Sequence, residues 1–146
     1  MRIAIASDHG GFELKKQLIP YMESQGISVY DMGCNDTQSV DYPDFAFPLS
    51  EAVAKSEYDF GILICGTGIG MSMCANRVPG IRCALCSEPV SAALTRQHNN
   101  ANVLAMGARM IGFEMACAIV DAFLKTEFSG GRHERRVDKM TNYNMK

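Results

Sequence analysis

The densest chemistry in this chain lies in one stretch, Phe60-Gly61-Ile62-Leu63-Ile64-Cys65-Gly66-Thr67-Gly68-Ile69-Gly70-Met71. Ile62-Leu63-Ile64 reads as a buried strand that breaks at Cys65 into alternating glycines, and residues 71–76 read as a helix. A strand that ends in such a loop before a helix aims several backbone N–H groups at one point, where the helix dipole also favours negative charge. That nest suits a phosphate, or an oxyanion that develops during a reaction. A thiol at its lip feels the same field, which favours the reactive thiolate.

Three other clusters could join it. Asp8-His9-Gly10-Gly11 stands at a strand-to-helix turn, either as an aspartate N-cap with glycines easing the bend or as part of a polar rim. His98, before Asn99-Asn100, closes an expected helix; it is a favourable dipole partner there, or an acid–base group in a chain with only three histidines. In the tail Gly131-Arg132-His133-Glu134-Arg135-Arg136, a helix would put Arg132 and Arg136 on one face, as a phosphate clamp or simply as a solvated charge run.

Two familiar phosphate motifs do not fit. The dinucleotide fingerprint G-x-G-x-x-G needs glycine where Met71 stands, although Glu88 lies at a suitable distance for a ribose contact. No Walker sequence occurs. Cys83 and Cys86 form a lone C-x-x-C, but on a strand they face opposite sides and cannot jointly bind zinc.

The elements that must position these groups alternate along the chain. Strands are expected at residues 2–6, 27–32, 62–64 (ending at Cys65), 81–86 and 102–106. Helices are expected after Gly11 (Leu14, Leu18, Ile19 and Met22 inward; Glu13, Lys15, Lys16 and Gln17 outward), at 43–56 with Pro48 interrupting its first half, at 71–76, at 88–97 with Pro89 in the first turn, and at 112–125. Residues 33–44 form the one long loop. This pattern predicts a single α/β domain over residues 1–146: a doubly wound, Rossmann-like, five-stranded parallel sheet with helices on both faces. Ligands of such sheets sit beyond the carboxyl ends of the strands, so Asp8-His9 and residues 65–70 belong to one rim.

The chain has 146 residues, 47% apolar and 21% charged, as expected of an ordinary globular domain. A formal charge of −2 argues against nucleic-acid binding. No apolar run reaches the roughly 18 residues of a membrane span, and the first residues carry no signal-peptide pattern. Six cysteines without an export signal read as reduced thiols of a cytoplasmic protein.

Taken together, Ser7-Asp8-His9-Gly10-Gly11, Asp41-Tyr42-Pro43, Cys65-Gly66-Thr67-Gly68-Ile69-Gly70, Asn76-Arg77-Val78-Pro79-Gly80, His98-Asn99-Asn100-Ala101-Asn102 and Gly130-Gly131-Arg132-His133 give a sequence that resembles the type B ribose-5-phosphate isomerases. These lie within a wider group that includes the galactose-6-phosphate isomerase subunits. The likeness runs over nearly the whole chain. It implies an aldose–ketose isomerase of pentose phosphate metabolism that needs no cofactor and no metal. In one branch of the family a cysteine at the position of Cys65 is the base; in the other a glutamate at that of Met71 serves. This chain resembles the cysteine branch. The resemblance further implies His98 as the ring-opening acid–base assisted by Asp8. It assigns His9, Arg132 and Arg136 to the phosphate, Thr67 to catalysis as a stabiliser of the developing oxyanion, and Tyr42, Gly66, Thr67, Gly68, Ile69, Gly70, Asn99 and Arg109 to further substrate contacts. Isomerases of allose 6-phosphate or galactose 6-phosphate are the near alternative, and a non-catalytic nucleotide-binding module the distant one.

Topology adds a quaternary expectation. The helix ending at His98 starts at the rim, and its ~10 residues carry the chain roughly 15 Å back down. His98 should therefore lie far from its own Cys65 and reach the Cys65 of a partner in a homodimer with shared sites, with Asn99 and the basic tail (130–146) contributing; a tetramer is the larger alternative.

Overall fold

Strand-forming apolar runs alternate with amphipathic segments, and the computed structural model resolves them into one sheet over the described residues, 1–143. Residues 144–146, the end of the expected tail, lie outside them. β1 (Arg2–Ser7) leads through a 3-10 turn (His9–Gly11) into α1 (Phe12–Glu23), and β2 (Ser28–Asp31) leads through the long loop into α2 (Pro43–Ala54). β3 (Phe60–Cys65) is followed by α3 (Ile69–Ala75), β4 (Cys83–Leu85) by α4 (Pro89–Asn99), and β5 (Val103–Gly107) by α5 (Phe113–Lys125) and α6 (Arg132–Thr141). All neighbouring strands are parallel, in the order β2-β1-β3-β5-β4. This is the expected α/β architecture.

Period-two alternation sorts the sheet into two unlike faces. Ile3, Ile5, Ile62, Ile64, Leu104 and Met106 pack against α1, α4 and α5. Each such side chain contributes about 1.5–3 kcal/mol by leaving water. The other face carries Ala4, Ala6, Leu63, Cys65, Val103 and Ala105 beneath α2 and α3. Its alanines let those helices sit close, and Cys65 shares this thinner layer with Met71, Cys74 and Ala75.

Several local expectations need correction. Lys15, expected on the outer face of α1, is wholly buried. Its Nζ donates to Asp31 Oδ1 at 2.7 Å and to the Cys34 carbonyl, so the loop after β2 replaces its water. The fourth strand spans three residues rather than 81–86, because Ile81 N closes a turn onto Val78 O and Arg82 N donates to the Asn102 side chain. Pro48 does not interrupt its helix, and Pro20 likewise lies inside α1. Cys83 and Cys86 do face opposite layers. Burial pushes the Cys83 thiol above the ordinary thiol range and Cys86 up to about 11, with Glu88 adding to the second. All six cysteines are free thiols.

Candidate active site

β3 delivers Cys65 to the carboxyl rim as its last residue, only 4% exposed. The Cys65 Sγ accepts a hydrogen bond from Gly68 N at 3.1 Å. That contact requires the loop to turn back on itself, which it does with Gly68 in the left-handed region at φ +78°. A side chain there would also meet the Met106 carbonyl carbon at 2.8 Å. Thr67 Oγ1 accepts from Ile69 N at 3.2 Å, so its hydroxyl hydrogen is directed elsewhere and can serve an oxyanion.

The neighbouring loops close on this turn. Asp8 Oδ1 accepts from Gly10 N at 2.9 Å and Gly11 N at 3.2 Å, which realises the N-cap. The same carboxylate borders the glycine loop: a Cβ on Gly10 would stand 3.3 Å from both Asp8 Oδ1 and Gly66 N. His9 Nδ1 accepts from Val40 N at 3.1 Å, so the neutral ring carries its proton on Nε2, as a donor suited to an anion. The Tyr42 ring covers Gly70, 2.7 Å from where a Cβ would be, and Arg109 lies across Gly66 with Nε at 3.3 Å from the corresponding point. Asp8, His9, Tyr42, residues 65–70 and Arg109 are thus brought together as one polar rim.

His98, Asn99, Arg132 and Arg136 are not at that rim. Cys65 pairs with Gly107 at the end of β5, whereas the end of α4 leads into Val103 at its start, opposite Gly61. The two levels are separated by four strand residues, ~13 Å. At this second edge the His98 and His133 rings stack, with centroids 4.4 Å apart and planes at 13°. Arg132 and Arg136 are exposed one turn apart on α6, which Val137 anchors by its buried side chain. Loss of solvent, then His98, Arg132 and Arg136, hold the His133 imidazole below the ordinary histidine value. A groove of about 920 Å³ runs between β4, α4 and the end of α6, lined by Leu85, Leu94, His98, Asn99 and Tyr143 among others, and Cys65 does not line it.

Glu88, the candidate ribose contact, caps α4: its carboxylate accepts from Ser91 N at 3.0 Å, which draws it below the ordinary range. Sequence reasoning missed Lys15 and Arg96 around these sites, and named His133 without giving it a role. The signal for His133 was its place beside Arg132 in a histidine-poor chain. Nothing local marks Lys15, whose partners lie 16 and 19 residues away, and the burial of Arg96 depends on Thr126, 30 residues away, as well as on its neighbours Asn100 and Ala101.

Comparison with known proteins places these two constellations in context. The model of the Ribose/Galactose Isomerase family matches residues 3–140. Ribose-5-phosphate isomerase B of Escherichia coli is 49% identical over 140 residues, covering 96% of this chain and 94% of that protein. A structure of ribose-5-phosphate isomerase B from Clostridium thermocellum superposes with a TM-score of 0.97 at 48% identity, covering 99% and 98% of the two chains. The enzyme of Mycoplasma genitalium with bound ribulose-5-phosphate gives a TM-score of 0.95 at 47% identity, covering 99% and 97%.

Proposed function

The chain belongs to the ribose/galactose isomerase family, and from that premise we propose that it interconverts ribose 5-phosphate and ribulose 5-phosphate. The observation that carries the reading is Cys65 at the end of β3, with its sulfur held by Gly68 N inside the glycine loop. The ligand of the Mycoplasma genitalium relative supports the choice of substrate.

Aldose-to-ketose conversion moves one proton from C2 to C1 and another from O2 to O1, through an enediolate, and leaves the composition of the sugar unchanged. The Cys65 thiolate takes the C2 proton and returns it to C1. Gly68 N already donates to the sulfur and supports its charge, as a hydrogen bond to an anion is the stronger kind. Backbone N–H groups of the 66–70 loop and the Thr67 hydroxyl stabilise the oxygen on which charge develops; one such donor is typically worth on the order of 3 kcal/mol of barrier. Tyr42 and Ile69 flank the loop, and Arg109 contacts the sugar across Gly66. Asp8 and His98 open the furanose ring by acid–base exchange at the ring oxygen and anomeric hydroxyl. His9, Arg132 and Arg136 hold the phosphate, and Asn99 contacts the sugar.

These groups stand at two edges, so we assign the working site to a homodimer in which each Cys65 rim meets the His98 edge of the partner. The groove beside His98 and Asn99 offers room for that contact. The C-terminal segment lies on the same side and completes the partner contact. The enzyme acts in the cytoplasm, within pentose phosphate metabolism.

The test is pentose phosphate interconversion by the purified protein and by Cys65→Ala. Activity lost in the variant supports both reaction and base. Activity confined to hexose 6-phosphates would overturn the substrate, and an active Cys65→Ala protein would overturn the base.

A further inference from the structure

Arg96 is 7% exposed on α4, two residues before His98. Among the described residues no carboxylate pairs with it. The guanidinium lies 4.6 Å from the Phe60 ring centroid and 5.7 Å from that of Phe123. Its polar contacts are oxygens of the main chain and one amide: Nη1 donates to Asn100 Oδ1 at 3.0 Å and to the Ala101 carbonyl, and Nε donates to the Thr126 carbonyl at 3.3 Å. Burial and the neighbouring Arg82 both disfavour its charge. An apolar side chain there would leave the Ala101 and Thr126 carbonyls without this donor. The planar fork does something an apolar side chain cannot, which is to fix several acceptors in one plane.

Those acceptors belong to two elements. Asn100 is the left-handed residue that ends α4, at φ +47°, and Ala101 begins the lead into β5. Thr126 is the residue after α5, at the start of the linker to α6. Ser129 N completes the junction by donating to Gln97 O at 3.1 Å. One side of the fork thus holds the segment that presents His98 and Asn99, and the other holds the linker that presents Arg132, His133 and Arg136.

We propose that Arg96 is a positioning residue for the isomerase reaction: its guanidinium sets the spacing between the His98 end of α4 and the start of α6. The consequence for turnover rests on the catalytic reading of His98 given above; the structural part does not. Misplacing a reacting group by about an ångström costs on the order of 10²-fold in rate.

The experiment compares Arg96→Met, Arg96→Lys and His98→Asn with the parent protein. It measures kcat and KM on ribose 5-phosphate, cooperative unfolding, and the NMR signals of the His98 and His133 rings across pH. Arg96→Met should unfold cooperatively, lose roughly 10- to 100-fold in kcat with a smaller change in KM, and lose the ring-current contact between His98 and His133. Arg96→Lys should be impaired nearly as much, because it keeps the charge and loses the fork. Full turnover in Arg96→Lys, or an unchanged histidine contact in either folded variant, would overturn the proposal. If Arg96→Met does not fold, Arg96→Lys decides by the same criteria. If His98→Asn keeps full turnover, the catalytic reading falls, and the histidine contact alone decides the role of Arg96.

Discussion

The two edges of the sheet are built by different means. At the carboxyl rim the groups are placed by backbone: Gly68 N on the Cys65 sulfur, Gly10 N and Gly11 N on Asp8, Val40 N on His9. At the other edge they are placed by side chains reaching across the fold. Arg96 grips Asn100, Ala101 and Thr126, Arg82 Nε donates to Asn100 O at 2.8 Å, and the His98 ring rests on His133. A site made of backbone donors has its geometry before any ligand arrives. A site made of long side chains depends on the integrity of a tertiary junction. In the proposed enzyme the first kind stabilises the developing charge, and groups of both kinds open and grip the sugar.

The sharpest way to break this contrast is to remove the reacting group of the rigid rim. Cys65→Ala should lower kcat by roughly 10³-fold, as for loss of a positioned base, with the unfolding transition preserved; an assay of pentose phosphate interconversion checks it. His98→Asn at the opposite edge should cost about 10²-fold. Equal mixtures of the two inactive proteins, after subunit exchange, should regain about a quarter of parental activity, because half the dimers are mixed and one of their two sites is whole. Absence of recovery after verified exchange would refute the shared site.

Gly68→Ala probes the rim without removing any functional group. The left-handed residue and the contact with Met106 force the loop to shift, at a strain of about 1–2 kcal/mol, and kcat should fall with the Gly68 N donor displaced from sulfur. Lys15→Ala tests the support beneath the rim, since Lys15 pins the loop that carries Val40 and Tyr42. Urea unfolding should show a loss of about 2–3 kcal/mol, less than for a fully buried ion pair because the Asp31 side chain is 41% exposed.

The smallest effect is at the histidine pair. The folded value of His133 lies below its unfolded one, so any stability it lends to α6 is present above the ordinary histidine range. That stability is lost as pH falls through the depressed folded value. NMR titration should find His133 midway below a normal histidine, and His98→Asn should move it upward.

How far the sequence foretold each edge follows from how each is made. The strand, the glycines and the helix after Cys65 are contiguous, so local patterning was enough to place the thiol in a nest of N–H groups. The same holds for the Asp8 cap. Helix length and parallel topology were enough to separate His98 from Cys65. What was not legible depends on contacts distant in sequence. Lys15 sits among charged neighbours on α1 and looks solvated until the residue 34 carbonyl closes over it. Arg96 looks like any helix arginine until residues 60, 123 and 126 surround it. The tail left two readings open, and Val137 together with the His98–His133 stack shows why it forms a docked helix. The strand order was equally hidden, because apolar runs reveal that strands exist and not which of them are neighbours.

That order has a consequence for how the molecule is made. β5 lies between β3 and β4, although it is the last strand in sequence. Until residues 103–107 leave the ribosome, the strand that carries Cys65 has an open edge on one side and β4 has no neighbour at all. Residues 103–107 therefore fill a place one strand wide, some 5 Å across, between β3 and β4 rather than extending an outer edge of the sheet. A chain halted before residue 103 exposes two unsatisfied edges of the kind that recruit other chains. The Gly107 border of the Cys65 rim and the closure of both edges thus depend on the same five residues, Val103–Gly107.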